Sequence, residues 1–101
     1  MARFKVMVRG DNCLVQFESG PKKYSFFAAR CVGARDAHQA ERLAIDSVTR
    51  ELGAVVLNDD RDPPAIYLDE IRRLGFFERY RGPRRGFTWF SEEGKRDEDA
   101  V

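Results

Sequence analysis

Residues 24–53, YSFFAARCVGARDAHQAERLAIDSVTRELG, pass from an extended aromatic run into an amphipathic helix, and the change falls at Asp36. A strand feeding straight into a helix must fold that helix back over a sheet to bury its apolar stripe, so a small two-layer α+β domain is expected. Asp36 offers an N-cap side chain, and Gln39 can return the bond, a capping box with Asp in the Ser/Thr role. The helix is predicted over 37–52. At about 100° per residue, Ala37, Ala40, Ala44, Ile45, Val48 and Leu52 gather into one stripe, while Arg42, Asp46 and Arg50 share the opposite face. Asp46 and Arg50 are spaced for an i,i+4 ion pair. Gly53 reads as the C-terminal stop. Nothing in this unit supplies a catalytic constellation.

Upstream, Phe4, Val6 and Val8 alternate with Lys5, Met7 and Arg9, the period of a half-buried strand, and Gly10-Asp11-Asn12 carries turn chemistry. A hairpin is expected there, returning as a strand over 13–18 with Cys13, Val15 and Phe17 on one face. Ser19-Gly20-Pro21-Lys22 is a second turn signal. The third strand, about 24–34, places Tyr24, Phe26, Ala28, Arg30 and Val32 on one face and Phe27, Ala29 and Cys31 on the other. Apolar groups on both faces make it central. After a short apolar segment, 54–57, NDDRDPP forms a surface loop. A fourth strand starts at Ala65, and the break in alternation between Leu68 and Ile71 predicts a bulge. A short strand over 87–90 closes the sheet. The expected fold is a single α+β domain over 1–90. It has a mainly antiparallel sheet of four to five strands in the order β-β-β-α-β-β, one helix packed across it, and a ferredoxin-like character. Residues 91–101 form a charged, mobile tail.

A chain of 101 residues supports one core, burying roughly 65% of its unfolded surface. Hydrophobic content of 43% excludes wholesale disorder. The formal net charge of +1, from 18 basic and 17 acidic residues, leaves no global field to draw the chain onto nucleic acid or an anionic membrane. Any electrostatic function is therefore local. No apolar run approaches the roughly 20 residues of a membrane span. Cys13 and Cys31 lie inside strands without a basic-then-apolar leader, which reads as cytoplasmic with both thiols reduced. The 14 arginines against 4 lysines fit a GC-rich coding sequence as well as anion binding.

The functional candidate is GFFERYRGPRRGFTWF, 75–90, which sets Arg79, Arg81, Arg84 and Arg85 among six aromatics. Guanidinium groups that hold phosphates and rings that stack on bases are what single-stranded nucleic acid requires. Arg, Trp and Tyr are equally the residues of protein-interface hot spots. The structural reading of the segment has Phe76, Phe87 and Trp89 closing the core while the arginines coat a solvated loop. Arg30, in a central strand, needs a partner if its guanidinium is buried, and Glu18 or Glu41 are candidates. Its other roles would be a packed stem with a solvated head, or an anion contact beside the sheet.

Asn58, Asp60, Asp62 and Asp69 imitate a calcium-binding loop, but Pro63 stands where that loop needs glycine, and a turn held by Asx side chains accounts for the residues better. His38 and Cys31 would need a third, orienting group to act as a nucleophile pair, and none is present in the pattern. No metal or cofactor is expected, and no catalytic residue.

Phe26-Phe27-x-x-Arg30-x-Val32-x-Ala34-x-Asp36, then Asn58-Asp59, Asp62-Pro63-Pro64, Glu70-Ile71 and Gly86-Phe87-Thr88-Trp89-Phe90, resemble a group of small bacterial (proteobacterial-type) proteins of this length with no established activity. The likeness covers most of the chain except its last ten residues. It implies a bacterial, cytosolic protein of shared architecture and carries no catalytic residue across. It adds weight to Arg30 and the Asp62-Pro63-Pro64 loop, and it does not include Arg84-Arg85.

The function expected is that of a small non-enzymatic module of inhibitor, immunity or adaptor type, binding a protein partner or a second copy of itself. The binding residues are Arg30, Arg79, Tyr80, Arg81, Arg84, Arg85 and Trp89. Single-stranded RNA or DNA bound through 75–90 is the alternative, and a small Cys/His enzyme the second.

Overall fold

Residues 2–17 form one long strand instead of a hairpin. The structure, a computed structural model, describes residues 1–18 and 20–92. Its strands are β1 (Ala2–Phe17), β2 (Gly20–Ala34), β3 (Ala65–Arg73) and β4 (Thr88–Ser91), with α1 (Ala37–Leu52) between β2 and β3. Every strand pairing is antiparallel and the sheet order is β3-β1-β2-β4. The two-layer α+β architecture holds, with ββαββ replacing the expected βββαββ. One helix is present among the described residues, where a ferredoxin-like βαββαβ fold has two.

The physical reason lies at Gly10-Asp11-Asn12. Gly10 pairs with Phe26 and Cys13 with Tyr24, so two residues of β1 oppose the single Ser25 of β2. That is a β-bulge, and Asn12 supplies its left-handed backbone at φ 60°. The bulge moves the core-facing positions from Phe4, Val6 and Val8 to Cys13 and Val15 without reversing the chain. The reversal comes after Phe17, which pairs with Gly20 at φ 99°. Pro21 and Lys22, expected in the turn, already belong to β2, and Ser19 lies outside the described residues.

The core sits between α1 and one sheet face, where Phe4, Val6, Val8, Phe26 and Ala28 meet Ala40, Ala44, Val48 and Leu52. The i,i+4 spacing of those four helix residues makes one ridge, and the alanines let it lie close to the sheet. Ala37, expected in the stripe, is exposed. Gln39 N–H donates to Asp36 Oδ1 at 2.8 Å, and the Gln39 side-chain Oε1 accepts from Arg35 N–H at 2.7 Å, one residue before the cap. Gly53 keeps a right-handed φ of −57°, so the chain leaves α1 through a continuing turn and not a left-handed glycine stop. Asp46 and Arg50 do not form the expected ion pair, and Arg50 borders a hollow shared with Arg84 and Arg85.

In β3, Met7 pairs with Glu70 but Val8 pairs with Leu68, leaving Asp69 as the extra residue. The expected bulge is there, and it brings Ile66, Leu68 and Ile71 onto the core face together. The apolar segment after α1 joins the same edge of β1, with Val56 bridging Val15 and Leu57 N–H donating to Leu14 C=O at 2.7 Å. Asn58 then imitates a strand peptide. Its side-chain carbonyl accepts from Leu14 N–H at 2.8 Å, and its amide donates to Asn12 C=O at 2.9 Å. Asn58→Ala removes both partners at once and should cost about 1–2 kcal/mol in urea unfolding, with Asn58→Asp, which keeps the acceptor, costing less. Equal costs would show that only the donor matters.

The bulge also gathers a polar cluster. Lys23 Nζ donates to Asn12 Oδ1 and Asp62 Oδ2, both at 2.6 Å, and Asn12 Nδ2 donates to Asp62 Oδ1 at 2.8 Å. Ser25 and Tyr67 hydroxyls both donate to Asp11. Glu92 Oε1 accepts from Asn12 N–H at 2.9 Å. Ser91 and Glu92 thus belong to the folded domain and not to the tail. The rest of the expected tail, 93–101, lies outside the described residues.

Candidate interaction surface

β3 and β4 are opposite edges of the sheet, so residues 74–87 must cross it to connect them. Alternation puts Lys5, Met7, Phe27, Ala29 and Cys31 on the face away from α1, and the connection runs along that face as a strap. Its first half encloses a 200 Å³ hollow with Lys5 and Arg72, and its second half a 240 Å³ hollow with Met7, Phe27 and Ala29. Beyond the strap, Phe90 stacks on Phe27 at 5.6 Å and Arg9 lies 5.4 Å over the same ring.

Three anchors hold the strap. At its start, Leu74 N–H donates to Arg3 C=O at 2.9 Å. Next, Arg72 grips Glu78 with two bonds of 3.0 and 2.6 Å, Gly75 N–H donates to the same carboxylate at 3.0 Å, and Arg3 donates to Glu78 C=O at 2.5 Å. Hydrogen bonds from Arg72, then from Gly75, hold the Glu78 carboxyl down to about 2 from its ordinary 4.5. A depressed folded-state value contributes stability that is fully present above pH 4.5 and is lost as pH falls toward 2. The Glu78 carboxyl followed by NMR should titrate near 2 and return toward 4.5 in Arg72→Gln; a wild-type midpoint at 4.5 would remove this anchor.

The third anchor is Arg30. It is 5% exposed, and its partner is Glu51 on α1, at 2.7 Å, not Glu18 or Glu41. Its guanidinium also donates to Ala29 C=O at 2.8 Å and to Gly86 C=O at 3.3 Å, and lies 5.9 Å from the Phe87 ring. Glu51 closes the loop by accepting from Gly86 N–H at 2.7 Å. Gly86 stands at φ 82°, a conformation that suits glycine. Arg30 therefore ties β2, α1 and the strap together, with its guanidinium bonds met inside the protein.

The residues singled out in the sequence divide accordingly. Trp89 packs on the core face among Phe26, Phe87, Tyr24 and Phe17, with ring centroids 5.2 to 6.3 Å apart. Tyr80 is half-buried and shapes the strap by donating its hydroxyl to Pro83 C=O. Burial pushes its phenol up, and the neighbouring Cys31 adds to the shift. Arg79, Arg81, Arg84 and Arg85 are exposed, and none forms an ion pair among the described residues.

Phe76 corrects the structural reading of the segment, for it does not close the core with Phe87 and Trp89. Phe76 and Phe77 are each 91% exposed, their rings edge to face at 4.9 Å. Phe76 borders a 440 Å³ hollow shared with Arg3, Arg73 and Met1, itself 95% exposed. Phe76 and Phe77 are the two central residues of a turn closed by Glu78 N–H donating to Gly75 C=O at 3.1 Å, which carries both rings away from the core.

The remaining candidates separate. Cys31 lies on the sheet face away from α1 while His38 is exposed on the first turn of α1, and no hydrogen bond joins them. Both cysteines are free, and burial pushes the Cys13 thiol up to about 11. In the acidic loop, Asp59 accepts from Arg61 N–H at 2.9 Å as an Asx turn, and Lys23 and Asn12 occupy the Asp62 carboxylate. No helix among the described residues is long and apolar enough to cross a membrane. Compared with known protein families, with curated proteins and with solved structures, the chain gave no match.

Proposed function

We infer that this chain is a small binding module that engages a protein partner through the first half of its strap. One observation carries the reading: Phe76 and Phe77 stand side by side in water on a segment pinned immediately behind them by Glu78. Burying a phenylalanine contributes about 1.5–3 kcal/mol, so these two rings are the largest unused apolar gain on the strap. A pinned backbone reduces the ordering cost of capturing it. Arg3 and Arg73 line the hollow that Phe76 borders, and Arg79 follows two residues after Phe77, giving an apolar centre with cationic neighbours that suits an acidic-rimmed pocket on the partner. An inhibitor, immunity protein or adaptor working in the cytoplasm needs only such a surface.

Phe76→Ser with Phe77→Ser should leave the melting temperature unchanged within experimental error, because neither ring packs on the core. The same variant should lose the stoichiometric complex that the wild-type chain forms with its partner in host lysate. Retention of that complex would defeat the proposal. If the wild-type chain instead self-associates and the variant is monomeric by light scattering, the partner is a second copy.

A second reading, single-stranded nucleic acid, is favoured by Arg79, Arg81, Arg84 and Arg85 forming no ion pair among the described residues. It requires affinity to fall steeply with salt and Arg84→Ala with Arg85→Ala to flatten that dependence.

A further inference from the structure

We propose that the hollow between the last turns of α1 and residues 84 and 85 is a binding site for a phosphate group. It measures about 490 Å³ and is lined by Ser47, Arg50, Glu51, Arg84 and Arg85. The site is separate from Phe76 and Phe77 and does not depend on the reading built on them.

The charge balance is one-sided. Among the described residues Glu51 is the only acidic group in the lining, and both of its oxygens are engaged, one by Arg30 and the other by Gly86 N–H. Arg85 adds to the field that lowers the Glu51 carboxyl, after Gly86 and Arg30. Arg50, Arg84 and Arg85 are then left without an ion pair among the described residues, although Asp46 is spaced to pair with Arg50. Three like charges around one hollow repel one another, and an anion between them relieves that repulsion.

The negative end of the α1 dipole opposes an anion, with about half a charge. Its last carbonyls are not bare, however: Thr49, Glu51 and Leu52 C=O accept from N–H groups of Gly53 to Val56. Three whole charges outweigh that fraction. Guanidinium forks, with Ser47 lining the same hollow, match the tetrahedral, multi-oxygen acceptor of a phosphate better than a halide.

The test is NMR on the full chain, titrated with inorganic phosphate and, in parallel, with sodium chloride at equal ionic strength. Backbone resonances of Ser47, Arg50, Arg84, Arg85 and Gly86 should shift saturably with phosphate only. Arg50→Gln with Arg84→Gln should weaken the response about tenfold or more while leaving the β1 and β2 resonances in place. Tighter binding of glycerol phosphate would assign the phosphate to a larger ester; equal binding would assign it to the free ion. Equal shifts with chloride, or an unaltered response in the double variant, would overturn the proposal. Binding of a single-stranded oligonucleotide here without binding of either small phosphate would overturn it in favour of the nucleic-acid reading.

Discussion

Glu51→Ala is expected to destabilise the protein by about 3 kcal/mol, although Glu51 is 34% exposed and makes no contribution to the apolar core. The cost arises on its partners. Arg30 is held at 5% exposure, and without Glu51 its charge stays buried with only carbonyl oxygens and the Phe87 ring for company. Gly86 N–H loses its acceptor as well. Arg30→Met removes the charge and leaves an apolar stem of similar length between β2 and α1, so it should cost about 1 kcal/mol or less. The asymmetry between the two variants in urea unfolding identifies a buried charge pair. Equal costs would show that the two residues act through packing alone. The Glu51 carboxyl is lowered in the folded state, so the pair's contribution is present above the ordinary carboxyl range and declines as pH falls below it.

Gly10→Ala should cost about 3 kcal/mol, at the upper end for overpacking. A Cβ on Gly10 would sit 1.9 Å from Phe26 Cε2 and 2.4 Å from Cζ, and Phe26 is fully buried. The ring cannot withdraw because Phe87 and Trp89 pack against it at 4.8 and 5.5 Å. Phe26→Leu frees that space, so Gly10→Ala should cost at least about 1 kcal/mol less in the Phe26→Leu background. Additive effects would mean that the glycine is required for something other than the ring. Gly20 is the contrast, since nothing lies within 4 Å of an added Cβ and only its φ of 99° resists alanine. There the cost should be about 1–2 kcal/mol.

Legibility in the sequence followed the range of the interactions. Asp36 and Gln39 settle the start of α1 within three residues, and the Leu68 to Ile71 step announces the β3 bulge because its effect is local. The step from Val8 to Cys13 was ambiguous. A hairpin and a bulge both shift the core-facing parity, and Gly-Asp-Asn chemistry suits either. Only the distant pairing partner, Phe26 opposite Gly10, distinguishes them. The partner of Arg30 lies 21 residues away on the last turn of α1, a position that depends on how the helix crosses the sheet. From the sequence Trp89 reads both as a core-closing ring and as an interface anchor, because type and neighbours carry no burial information, and register with Phe26 places it on the core face. Phe76 and Phe77 are exposed because they occupy a turn between Gly75 and Glu78, which aromatic side chains in the sequence do not announce.

The central claim is that the recognition surface lies at residues 75–79 and not at Arg30 or Trp89. Amide hydrogen exchange on the wild-type chain, free and in complex with its captured partner, tests it most directly. The account predicts new protection at residues 75–79 and at Arg3, with exchange over residues 26–32 and 88–91 unchanged. Protection confined to those β2 and β4 residues, with the strap still exchanging freely in the complex, would contradict it.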